Sequence, residues 1–145
     1  MTGYDFASSP DIERALMKML RERFSVLATP PGGPLRVATE VPSNVGDIVT
    51  ATVPFVRVSV IGGGSGRLEI RPLVDVDVFS KDRDTSMRLA VSIEAWLLDY
   101  PHRTTLDSNF VLLDEVSTVM VPQRVPWPDG TLKRYLSSYQ ISARR

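Results

Sequence analysis

The sequence contains no cysteine, which excludes a disulfide framework and any thiolate metal site and fits a reducing compartment. His102 is its only histidine, so imidazole chemistry has one place to occur. Lys and Arg number 17, as do Asp and Glu, for a formal net charge of zero. The basic surplus of a general nucleic-acid binder is therefore missing. No apolar run approaches the roughly 20 residues that a membrane span needs. The opening MTGYDFASSPDIE has neither a basic start nor an apolar core, so no signal peptide is expected. Together these absences predict a soluble, cytosolic protein with no cofactor and no membrane partner.

What is present has the size and composition of one globular domain: 145 residues, 43% hydrophobic and 23% charged. One domain is expected over 1–145, with 1–8 as a flexible arm. Arg67 to Tyr100 organises it. Leu68, Ile70, Pro72, Val74, Val76 and Val78 alternate with Glu69, Arg71, Leu73, Asp75, Asp77 and Phe79. Period-2 alternation predicts a strand with one buried and one polar face. A helix follows, opening at Asp82–Thr85 and ending before Pro101.

An earlier helix is predicted from Pro10 to Phe24, with Ser9 as N-cap and Ile12, Ala15, Leu16, Met19, Leu20 and Phe24 as its apolar stripe. The prolines and glycines of Thr29–Pro34 break it. Short strands are expected at Leu35–Val37 and Ile48–Val53, within a loop-rich passage. Phe55–Ile61 alternates again, and Gly62, Gly63, Gly64, Ser65 and Gly66 read as the mobile turn of an antiparallel hairpin. His102–Ser108 reads as a polar connection, Phe110–Val121 as a strand, and Pro122–Gly130 as a turn-rich loop. Leu132–Ala143 is a last strand with Tyr135, Tyr139 and Ile141 on one face. The fold class is α+β: a mainly antiparallel sheet built on a long β-hairpin, with two helices packed on one face. The later helix is apolar over a wide arc, its polar stripe being only Asp84, Arg88, Ser92 and Asp99. The excess is explained by packing against both the sheet and the first helix, or against a neighbouring subunit.

No catalytic constellation emerges. A phosphate loop leads into a helix N-terminus, whereas these glycines lead into Arg67–Glu69 and a strand. Asp75 and Asp77 share a strand face about 7 Å apart, a spacing that can hold a cation. With Arg71 beside them they read instead as a solvated or interface face. His102 lies in a loop with no nucleophile elbow and reads as a surface residue. Arg124, Lys133, Arg134, Arg144 and Arg145 make the end of the chain basic, facing phosphates, an acidic protein or water. Trp127, between Pro126 and Pro128, is either an interface anchor or folded onto its own core.

The order of these parts carries a resemblance. Phe55-Val56-Arg57-Val58, the glycine turn, Val74-Asp75-Val76-Asp77-Val78-Phe79, the Ala- and Leu-containing helix, the late loop and a terminal strand with Arg134-Tyr135 look like the tail terminator (tail completion) proteins of long-tailed phages and related neck proteins. The likeness covers roughly residues 10 to 145. It implies a non-catalytic virion protein, made in the bacterial cytoplasm, that forms a hexameric ring. Such a ring caps the tail tube, stops its polymerisation and offers a surface for head–tail joining, with DNA passing non-specifically through its channel. Its partners are then other copies of itself, the tube protein and the connector or stopper proteins. A head–tail stopper is the alternative, and a small ligand-binding α+β domain a more distant one. Under the first reading the candidate subunit interface is Glu69, Arg71, Asp75, Asp77, Arg88 and Trp96. Gly62–Gly66 would be the loop that meets the tube or the adjoining ring. Arg124, Trp127, Lys133, Arg134, Arg144 and Arg145 would form a further contact surface.

Overall fold

The computed structural model describes residues 11–24, 36–49, 54–66, 69–99, 101–106 and 109–144. The expectations for the arm at 1–8, Ser9 and Pro10, the break at Thr29–Pro34, and Arg145 lie outside the described residues. In chain order the elements are α1 (Ile12–Arg23), β1 (Arg36–Ala38), α2 (Val45–Ile48), β2 (Phe55–Ser65), β3 (Glu69–Ser80), α3 (Arg83–Leu97), β4 (His102–Leu106), β5 (Asn109–Arg124) and β6 (Lys133–Arg144). The strands form one six-stranded sheet in the order β1-β2-β3-β6-β5-β4. The β1–β2 pairing is parallel and the others are antiparallel, so the chain is a mixed α+β domain.

The helices start where a side chain can take up a free amide. Asp11 accepts from Arg14 N at 3.1 Å and Asp82 from Thr85 N at 3.0 Å, the N-cap arrangement. Asp11 therefore caps α1. From α1, Ile12, Ala15, Leu16, Met19 and Leu20 are buried, and from α3, Leu89, Ala90, Ile93 and Leu97. Both sets join one core with Val56, Val58, Val74, Val76, Val78, Tyr139 and Ile141. Val56 pairs with Val78 and Val58 with Val76, and alternation puts these valines on one side of the strands. The intervening Phe55 and Phe79 enter a second, smaller cluster with Val45, Val49 and Leu132, against which Trp127 packs.

Three expectations change. Gly62, Gly63 and Gly64 are strand rather than turn: Gly62–Ser65 pairs with Leu73–Ile70, after a register shift between Val60 and Gly62. Gly63 takes φ +114, open to glycine and costly for other residues, and this lets the bulged strand resume pairing. Ile48 belongs to the single turn α2 rather than a strand, and 50–53 lie outside the described residues. His102–Leu106 is strand β4, with His102, Thr104 and Leu106 buried and Arg103 and Thr105 exposed. Its period-2 signal was hidden because two of the three inward residues are polar.

α1 reaches the margins of the sheet. Glu13 Oε1 accepts from Val60 N of β2 at 2.8 Å, Arg21 donates to Val37 O of β1 at 2.6 Å, and Lys18 donates to Thr105 O of β4. Polar side chains of one helix thus occupy backbone groups that edge strands leave open.

Candidate assembly surface

The register of β2, β3 and β6 decides what happens to the acidic stripe. Asp77 stands opposite Arg57 on one side and diagonal to Arg134 on the other, Phe79 being paired with Arg134. Its carboxylate is fully buried. Oδ1 accepts from Arg134 Nε at 2.6 Å and Oδ2 from Arg57 Nε at 2.8 Å, with Arg57 Nη2 also bonded to it. Arg134 in turn lies over the Trp127 ring at 5.2 Å and the Phe79 ring at 6.0 Å. The ring of Trp127 meets Phe79 edge-on at 4.9 Å. Asp77 is therefore not on a solvated face: its charge is satisfied within its own chain. A turn confined to 62–66 would have set Arg57 opposite Arg71. Pairing that continues through the glycines sets it opposite Asp77, which is why Arg57 escaped the sequence reading.

The neighbouring groups are also internally engaged. Asp75 is half-buried and accepts from Ser138 Oγ. Arg71 donates to Glu69 through Nε at 2.8 Å, and Ser142 Oγ donates to the same carboxylate at 2.9 Å. These bonds, that of Arg71 first, hold Glu69 below its ordinary pKa. Arg144 Nε donates to Asp114 Oδ2 at 2.9 Å.

The remaining candidates are spread over the surface. Arg88 is exposed on α3. Trp96, further along that helix, packs edge-on against Phe24 at 5.8 Å and beside His102 at 4.7 Å. His102 is a buried residue rather than a surface one, with Nε2 3.2 Å from Leu97 O. An open groove beside Trp96 is lined by Phe24, Ser92, Ala95 and Leu98, and Val91 and Leu98 on the same helix are exposed. Arg124 is exposed at the end of β5, and Lys133 is half-buried with Nζ 3.3 Å from Gly130 O. Gly62, Gly63, Gly64 and Gly66 are exposed at the far end of the β2–β3 pair. Among the described residues, no group of three or more His, Asp or Glu could hold a metal ion, and no helix is long and apolar enough to cross a membrane.

The surface combines exposed apolar residues on β2, α3 and β5 with exposed glycines, while Asp77, Glu69 and Asp114 are engaged by arginines of the same chain. No curated protein matches the sequence. The model of a family described as phage tail termination protein matches residues 8–130, a span that takes in every element except β6. That family is one of structural proteins of the phage tail rather than enzymes, and its members are virion components. The chain belongs to the phage tail termination protein family.

Proposed function

We propose that the protein is a ring-forming tail terminator, which caps the finished tube of a long phage tail, stops its polymerisation and presents a face to the head–tail connector or stopper. The family match over residues 8–130 carries this reading. A tube grows because each ring of subunits leaves an unsatisfied surface for the next. A ring that binds that surface and offers a different one ends growth without any chemistry. The ring is a closed cyclic assembly, a hexamer on this reading, and each subunit must present two different matching surfaces. DNA passes through its channel without sequence-specific contact. The Glu69–Arg71 pair, Arg88 and the groove beside Trp96 lie at the polar and aromatic rim of the subunit contact, where charges contribute little. The far end of the β2–β3 pair, at Gly66, meets the tube or the adjoining ring, and Arg124 and Lys133 belong to a second contact surface.

The test is to add purified protein to growing tail tubes and measure tube length by electron microscopy. Growth should halt on addition, with extra density at one tube end. Tubes that keep lengthening in the presence of folded protein would overturn the reading.

A further inference from the structure

Among the described residues, the two margins of the sheet are only partly covered. β1 pairs with Phe55–Arg57 of β2, and Glu13 takes the amide of Val60. No described strand lies outside Ile61–Ser65. On the other margin, β4 pairs with Asn109–Leu113 of β5, and no described strand lies outside Asp114–Arg124. Strand margins carry rows of free N–H and C=O groups, and monomeric proteins guard them with charge, proline or bulges. Here the guard is thin. Ser59–Gly66 and Val116–Gln123 contain no charged residue. Val60, Ile61, Val119 and Val121 are among the large apolar side chains left exposed, at 38, 53, 59 and 56%. Bulges near Ile61 and Val119 and Pro122 limit the usable backbone to short stretches around Gly62–Gly64 and Ser117–Val119.

These stretches, left open by the described strands, complement one another. They lie on opposite margins of one sheet, as a heterologous contact between identical subunits requires. β2, β3, β6 and β5 alternate in direction through three antiparallel pairings, so β2 and β5 run oppositely. A copy related by a rotation that keeps strand direction brings its β2 antiparallel to β5. Resting on the ring reading above, we infer that subunits join by strand addition, the Gly62–Gly64 stretch of one copy pairing with the Ser117–Val119 stretch of the next. Main-chain hydrogen bonds supply the contact, as in other strand-addition interfaces. The flanking Ile61 and Val121 cover it. The glycines let the incoming backbone approach without a side chain in the way.

Because the chain has no cysteine, single thiols report on this pairing without background. A Cβ added at Gly62 or Gly64 meets nothing within 4 Å, so Gly62→Cys and Gly64→Cys suit one margin. Ser117→Cys and Val119→Cys, both at exposed positions, suit the other. Each variant is checked by circular dichroism and light scattering, mixed with one from the opposite margin, and oxidised. Val91→Cys, on α3, is the control partner. Antiparallel pairing predicts disulfide dimers several-fold above either variant alone, and a matched register: if Gly62→Cys links Val119→Cys, Gly64→Cys links Ser117→Cys. Oligomers whose mixtures cross-link no better than the control would overturn strand addition and leave the ring reading standing. Monomers under every condition, including with tail tubes, would overturn both. Cross-linking to a tube subunit instead of a second copy would overturn the self-pairing.

Discussion

Asp77 has no exposed side-chain surface and two guanidiniums on its carboxylate, with side-chain exposures of 26% for Arg57 and 15% for Arg134. Removing one partner of a buried ion pair costs about 3–5 kcal/mol, because the other charge is left desolvated and unmatched. Asp77→Lys goes further, placing three cations around one buried point. It should unfold the monomer or lower its urea midpoint steeply, with helicity followed by circular dichroism. Asp75→Lys, at a half-buried site bonded to Ser138, should leave a folded chain. A stable Asp77→Lys monomer would contradict the buried clamp. Tyr139 gives a second test. Its buried hydroxyl donates to Ser137 Oγ at 2.9 Å, and burial, the leading cause, pushes its pKa up from 10 to about 12. The folded state holds the proton that the unfolded state releases, so this contribution is full below pH 10 and is lost as pH rises towards 12. Stability should fall across that window in the native chain and less in Tyr139→Phe, with tyrosinate absorbance lagging until unfolding. The face of each of these residues was readable from alternation. Their partners were not, since pairing depends on register, and register on a bulge among glycines that carry no pattern.

At the scale of elements, the glycine stretch separates backbone need from loop freedom. A Cβ at Gly63 would sit 2.2 Å from Arg71 O and requires φ +114, whereas one at Gly64 meets nothing within 4 Å. Gly63→Ala should therefore lose about 1–3 kcal/mol and Gly64→Ala no more than about 0.5 kcal/mol, read from thermal midpoints. Equal losses would mean the bulge is not held as described. α1 offers another element-scale test. Glu13→Ala removes the acceptor of Val60 N, so hydrogen exchange at Val60 should speed up markedly while the amides of Val56 and Val58 keep their protection. Both long helices were legible from their stripes, because burial there falls on apolar side chains. β4 was not, because His102 and Thr104 satisfy their polarity inside the fold, and pattern reading takes polar residues as outward. That α1 serves three strand margins is likewise invisible to periodicity, since it rests on the polar face of the helix.

At the scale of the whole molecule, the polar face of the long strand (Glu69, Arg71, Asp75 and Asp77) and the basic end of the chain could hold a ring by opposite charges. Asp77 is closed off by Arg57 and Arg134, Glu69 is held by Arg71 and Ser142, and Asp114 by Arg144. A charge already paired within its subunit gains little from a second partner in solvent, and exposed pairs contribute only about 0–1 kcal/mol. Apolar side chains are also open to a second copy: Val60, Ile61, Val119 and Val121 on the two strand margins, and Val91 and Leu98 on α3. Salt shortens the reach of exposed charges to roughly 3 Å at 1 M, yet leaves apolar burial and main-chain hydrogen bonds largely intact. The assembly should therefore keep its mass when light scattering is repeated from low to high salt, and charge reversal at Arg88 should shift it little. Dissociation on raising salt would return the interface to the Glu69, Arg71 and Arg88 charges. Constant mass, lost instead on placing lysine at Val119 or Ile61, would assign it to the open margins of the sheet.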